Sequence, residues 1–175
     1  MDFCKILPRQ CLKSNAADTF ADKTLLNYWI MRVISKIGEY GLRTLMHMAS
    51  NRTEHPYFNI RIMAEELDIS FHFLTKILQG LTQKGLLQSY RGPNGGIGFL
   101  VPPEEITLAA VVRILEGDDF FDNCLLGLPG CGERQPCPVH HFWAGLRESL
   151  RSEFETTTLA DLGEKTLKKH FRLKA

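Results

Sequence analysis

Three of the chain's five cysteines and two of its six histidines fall within one short stretch, CLLGLPGCGERQPCPVHH, residues 124–141. The ligand-capable spacing is Cys124, six residues, Cys131, five residues, Cys137, two residues, His140. Gly127, Pro129, Gly130, Gly132, Pro136 and Pro138 lie between them and hold a loop open with little apolar material to fold on. Such a loop needs something to wrap, and three chemistries compete for it. Disulfides leave one cysteine over and need an oxidising compartment. Zinc takes three thiolates and an imidazole as a tetrahedral set. An iron-sulfur cluster takes the same ligand types, with thiolates dominant and a histidine able to replace one. The leftover cysteine and the compartment disfavour the first, and spacing alone does not choose between the other two.

The elements that must carry this loop are helical. From Ser35 to about Asn51, Ile37, Tyr40, Leu42, Leu45, Met46 and Ala49 recur at spacings of three and four, the stripe of a core helix. Over residues 59–85, Ile62, Met63, Ala64 and Leu67 mark a short helix and Asp68-Ile69 a turn. Ser70 N-caps a second helix with Phe73, Leu74, Ile77, Leu78 and Leu81 on one face, and Gly85 stops it. Two short helices joined by a tight turn form a helix-turn-helix. LLQSYRGPNGGIGFLV then supplies two β-capable runs around a glycine-rich tip, a hairpin. The expected fold is mainly α with a small β-hairpin wing: a winged helix-turn-helix DNA-binding domain followed by a long C-terminal dimerisation helix.

After Pro102 and Pro103, Thr107 caps a helix bearing Leu108, Val111, Val112 and Leu115. Beyond the cysteine loop, Trp143, Leu146, Leu150 and Phe154 form a stripe that suits a two-fold dimer seam. One short capped turn at Thr158 and a solvated basic tail end the chain. The organisation read this way is 1–30, an N-terminal extension or a start placed too early; 31–103, the winged helix; 104–162, cluster loop and dimerisation helices; and 163–175, the tail.

Charge supports the same partition. The net charge is +1, yet between Ser70 and Pro103 the only charged residues are Lys76, Lys84 and Arg91, whereas 104–122 carries six acids against Arg113. A basic half beside an acidic one suits a DNA-reading domain joined to a separate module. Hydrophobic residues make up 44% and charged residues 23%, an ordinary globular composition. No apolar run approaches the ~20 residues of a membrane span. The N-terminus lacks the apolar core of a secretory signal, so a cytoplasmic chain with free thiols and no membrane partner is expected. An enzyme is not: no Cys-His pair comes with a cofactor loop, and RGPNGG lacks the strand-to-helix context of a phosphate site.

ISKIGEYGLRTLMHMA, IMAEELDISFHFLTKILQGLTQKGLL, YRGPNGG and the cysteine loop closed by CPVHHFW together resemble the winged-helix transcription regulators that include the iron-sulfur regulator IscR and the nitric-oxide sensor NsrR. The match runs from Met31 to about Leu162. It implies a homodimer on double-stranded DNA, with one iron-sulfur cluster per subunit sensing redox state, nitric oxide or cluster supply. Cys124, Cys131 and Cys137 match the family's cysteine ligands, and His140 matches the histidine ligand of IscR-like members. Glu39 sits where some relatives supply a carboxylate; its other reading is a salt bridge. With His140 a 2Fe-2S cluster is favoured over 4Fe-4S, and a structural zinc is the alternative. His141 is read as a bystander, and Cys4 and Cys11 lie outside the match. On the DNA side the candidates are Ser70, His72, Thr75 and Lys76 of the recognition helix, Phe73 as groove contact or core residue, and Arg91, Gly92 and Asn94 of the wing.

Overall fold

Local chemistry sets the first helix. The Ser35 hydroxyl accepts from the Gly38 amide at 3.1 Å, a side-chain cap that opens α1, Lys36–Asn51. The computed structural model describes residues 33–52, 56–92, 95–169 and 171–174. Every element below belongs to the compact unit of residues 34–175. The expected N-terminal extension, Cys4, Cys11 and Asn94 lie outside the described residues. α1 buries Leu42, Leu45, Met48 and Ala49, while Ile37, assigned to the stripe by spacing, is 44% exposed.

α2, Ile60–Leu67, is capped by Asn59, whose side chain accepts from the Arg61 and Ile62 amides. It ends at Asp68 in the left-handed region, φ 55°, where a short polar side chain is tolerated. The Asp68 amide donates to the Ala64 and Glu65 carbonyls, closing the helix-turn-helix corner. α3, Phe71–Gln83, buries Leu74, Ile77, Leu78 and Leu81 as its spacing predicts. Two expectations need correction. Ser70 occupies the N-cap position, but its side chain makes no capping bond. Ile62 is exposed, because the buried face of α2 is narrow and runs through Met63, Ala64 and Leu67.

Gly85, φ 76°, turns the chain out of α3 into β1, Leu87–Tyr90, which pairs antiparallel with β2, Gly96–Phe99, from Leu87 opposite Phe99 to Tyr90 opposite Gly96. Phe58 bridges Ile97 on the other side of β2, and a Cβ on Gly96 would stand 2.3 Å from the Phe58 carbonyl oxygen. Only a glycine lets that segment come so close. The fold is mostly helical with this two-stranded wing.

α4, Leu108–Glu116, starts where the Thr107 hydroxyl accepts from the Ala110 amide. It packs on α1 where Gly41 makes room; a Cβ there would meet Leu115 Cδ1 at 2.7 Å. α5, His140–Thr156, follows the cysteine loop. α6, Leu159–Lys169, replaces the expected short turn and tail with an eleven-residue helix. Its start is a reciprocal cap: the Thr158 hydroxyl accepts from the Asp161 amide at 3.1 Å, and the Asp161 carboxylate accepts from the Thr158 amide at 3.0 Å. The Thr158 amide and hydroxyl hold the Asp161 carboxyl below its ordinary range. α6 lies on α1 with Leu159 buried and Gly163 against the Ala49 backbone, and the Arg43 guanidinium donates to the Leu173 carbonyl. One buried cluster runs from Leu42 to Leu159 and includes Ala109, Val111, Val112 and Phe121, so residues on both sides of the 103/104 boundary share a core.

Candidate functional site

The cysteine loop is a chain of tight turns, and the turns set where its side chains stand. The Gly127 amide donates to the Cys124 carbonyl at 3.0 Å, and Gly127 takes φ 65°. Leu128-Pro129-Gly130-Cys131 closes a second turn, with the Cys131 amide donating to the Leu128 carbonyl at 3.3 Å and Gly130 at φ 72°. Proline then glycine at the two central positions is the chemistry of a type II turn. A third turn joins the Gln135 amide to Gly132, and in a fourth the His140 amide donates to the Cys137 carbonyl at 2.9 Å, which runs into α5. Four turns in eighteen residues fold the cysteines inward without a core.

The Sγ atoms of Cys124, Cys131 and Cys137 all lie within 4.8 Å of one another. Cys124 and Cys137 are 3.8 Å apart, and Cys131 Sγ is 3.4 Å from His140 Nδ1. Cys137 and His140 are buried, Cys124 and Cys131 half-buried. The backbone amides of Leu128 and Leu126 donate toward Cys124 and pull its thiol down to about 7, with smaller help from Cys131 and Cys137. Cys131 receives an opposing lowering contribution from the Cys137 backbone, but burial and the two neighbouring sulfurs leave its thiol raised. The donor set therefore already contains one thiol close to ionised at neutral pH, the form that binds metal.

Sequence reasoning missed what anchors this loop. The Trp143 indole donates to the Asn123 carbonyl at 2.8 Å, Arg147 donates to the same carbonyl at 3.0 Å, and Arg151 pairs with the Asp122 carboxylate at 2.7 Å. Arg151 also donates to the Phe121 carbonyl. Three side chains one turn apart on α5 thus hold the residues just before Cys124, and a periodic W-x-x-x-R-x-x-x-R was the available signal. Along the expected seam, Leu150 and Phe154 pack on the chain's own core, whereas Phe142 is 72% and Leu146 51% exposed. His141 is exposed. Glu39 is held on its own helix by Lys36 at 2.7 Å and Arg43 at 3.7 Å.

On the helix-turn-helix, Ser70, just before α3, and His72 and Lys76, one turn apart on it, are exposed, and Arg91 and Gly92 are exposed at the wing. The Thr75 hydroxyl is engaged with the Phe71 carbonyl at 2.7 Å. Phe73, half-buried, meets Tyr40 edge-on at 5.7 Å between ring centres and packs against the core. Arg61, overlooked in the sequence, lies over the Phe71 ring at 4.9 Å and adds an exposed cation beside the start of α3.

Among the described residues no helix is long and apolar enough to cross a membrane. The family described as Rrf2, iron-dependent transcriptional regulator, matches residues 34–165. An HTH-type transcriptional regulator of Aquifex aeolicus is 31% identical over 133 residues, spanning 74% of this chain and 90% of its own. The HTH-type transcriptional regulator IscR of Serratia proteamaculans is 30% identical over 132 residues, spanning 75% of this chain and 79% of its own. The solved structure of CymR, the global cysteine regulator of Bacillus subtilis, is similar with a TM-score of 0.64 at 28% identity, covering 76% of this chain and 97% of that one. These relatives are named as regulators, not enzymes. With its helix-turn-helix, its wing and a family match over most of its length, the chain belongs to the Rrf2 family of DNA-binding transcription regulators.

Proposed function

We propose that the chain acts as a homodimer that holds an iron-sulfur cluster on Cys124, Cys131, Cys137 and His140 and alters its affinity for promoter DNA with the state of that cluster. The observation that carries this is the convergence of three thiols within 4.8 Å, with His140 Nδ1 3.4 Å from one of them. The residues fit the group: soft sulfur donors dominate, one imidazole completes the set, and backbone amides of Leu126 and Leu128 point toward Cys124 as donors to a thiolate. His140 as fourth ligand supports 2Fe-2S over 4Fe-4S. When bound, such a cluster supplies one-electron redox chemistry and sensitivity to oxidant and nitric oxide.

The chain's own residues provide the route to DNA. Cys124 is tied to α5 through Asn123 and Asp122, and His140 is the first residue of α5, so both ends of the loop are fixed to one helix. Phe142 and Leu146 give α5 an uncovered apolar edge suited to a second copy. A change in the loop's packing would then bear on the helix that spaces the two reading heads. His72 and Lys76, with Ser70 and Thr75, would face bases and phosphates of the major groove; Arg91 and Gly92 would meet the minor groove or backbone.

A structural zinc is the second reading, favoured by one observation. A tetrahedral ion with ~2.3 Å bonds to sulfur has edges of about 3.8 Å, and the Cys124–Cys137 separation is 3.8 Å. Anaerobic purification followed by a visible spectrum and iron, sulfide and zinc analysis separates the two. Brown protein containing iron and sulfide supports the sensor; colourless protein with one zinc per chain replaces it. The triple Cys→Ala variant is expected to keep its fold and lose the oxidant response of promoter binding. A response equal to wild type overturns the sensing reading.

A further inference from the structure

His140 is buried while the side chain that faces its outer nitrogen is not. Its Nε2 stands 3.2 Å from Glu133 Oε1, and its Nδ1 stands 3.4 Å from Cys131 Sγ. Glu133 is 81% exposed and belongs to the third turn of the loop, two residues after Cys131. An ionised carboxylate can only accept, so the hydrogen bond requires the proton on Nε2. In the neutral imidazole that leaves the Nδ1 lone pair facing the Cys131 thiol, on the side where the three sulfurs converge. The ring is further fixed by its backbone, whose amide donates to Cys137 at 2.9 Å.

From this geometry we infer that Glu133 is a positioning residue for the metal centre, selecting the tautomer and orientation in which His140 offers Nδ1 as a ligand. The inference rests on the proposed role of His140 as fourth ligand. Two physical consequences follow. A carboxylate accepting from the far nitrogen makes the near nitrogen a stronger donor, and partners of this kind typically govern metal affinity by ten- to a hundredfold. Because the stronger donor favours the oxidised state, loss of the carboxylate moves the reduction potential upward. The turn Gly132–Gln135 sets Glu133 at its second position, so the sequence GERQ between the second and third cysteines carries this function rather than serving as spacer.

The same carboxylate also approaches His141. Ligand atoms of Glu133, His140 and His141 lie within 4.8 Å of one another, so a separate divalent-cation site is a distinct outcome of the test. His141 is exposed and its ring lies edge-on to that of His140, with centres 5.4 Å apart. Only His140 faces the sulfurs, and this favours the positioning role.

The experiment uses the full chain, loaded anaerobically with iron and sulfide, in wild type and in Glu133→Gln, Glu133→Asp, His141→Ala and His140→Ala. Iron and sulfide per chain, the rate of iron release to a chelator and the reduction potential are measured for each. The expected result for Glu133→Gln is a full initial load, release about tenfold faster and an upward shift in potential. Glu133→Asp should recover part of both, and His141→Ala should match wild type. Gln retains the size and an acceptor oxygen, so a merely structural contact would leave the potential unmoved. If His140→Ala changes potential and release but Glu133→Gln does not, the positioning role is overturned and the cluster reading stands. If no variant, His140→Ala included, differs from wild type, the ligand assignment falls and takes this inference with it. Should wild type bind zinc instead, the same variants are compared by chelator competition, and equal zinc affinity in Glu133→Gln and wild type overturns the role. A zinc ion bound in addition to a normal cluster, and removed by His141→Ala, would assign the trio to a separate cation site and overturn it as well.

Discussion

Cys124 and Cys131 have the same side chain and different chemistry because the turns expose them to different neighbours. The amides of Leu128 and Leu126 bring the Cys124 thiol down to about 7, whereas burial and adjacent sulfurs push Cys131 up. The sign is direct: as pH rises through about 7, Cys124 becomes thiolate while Cys131 stays protonated, and the thiolate is the reactive form. In the metal-free chain, brief iodoacetamide treatment at pH 7.5 is expected to label Cys124 ahead of Cys131, with a rate that climbs between pH 6 and 8 (ordinary thiols titrate nearer ~8.5). Peptide mapping checks it, and equal labelling of the two cysteines would contradict the assignment. The cysteine spacing was legible as a metal or cluster loop. Which thiol is acidic was not, because the amides responsible belong to leucines whose side chains face solvent.

At the scale of elements, α6 shows what spacing arguments lose. TLADLGEKTLKK reads as one capped turn leading into a basic tail, yet it forms a helix that packs along α1 through Leu159 and Gly163. A Cβ on Gly163 would lie 2.8 Å from the Ala49 carbonyl carbon, which is backbone and cannot rotate away. Gly163→Ala sets about 1 kcal/mol of helix propensity against an overpacking cost of about 1–3 kcal/mol. We expect a net loss of about 1 kcal/mol, read as a lower urea midpoint with unchanged m-value. An increase in stability would show that α6 can slide on α1. The helix-turn-helix was more readable, since its left-handed corner falls on an Asp and its buried positions repeat at three and four. Ile37 and Ile62 were misplaced because a stripe marks the apolar face, and the partner element decides how much of it is covered.

For the whole molecule, the uncovered edge of α5 is the feature that one chain does not account for. Phe142 and Leu146 stay exposed while Leu150 and Phe154, further along the same helix, complete the core. If that edge is the dimer seam, Leu146→Asp should place a charge between two copies and shift the chain toward monomer in sedimentation at micromolar concentration, with its circular dichroism preserved. Promoter binding should weaken with it, because two half-sites no longer share one protein. An unchanged dimer would move the interface elsewhere.

The sequence by itself determined the local facts: helix stripes, turn residues, the paired strands of the hairpin, and a set of thiols and imidazoles on a loop without a core. Those depend on periodicity and on short-range backbone chemistry, which neighbours in the chain decide. Only the tertiary structure decided that Phe73 packs on Tyr40 and that Trp143, Arg147 and Arg151 hold the approach to Cys124. It alone also brought Glu133 to the far nitrogen of His140. Each of these joins residues through the fold of intervening turns and helices, and no periodic pattern encodes where those turns deliver a side chain.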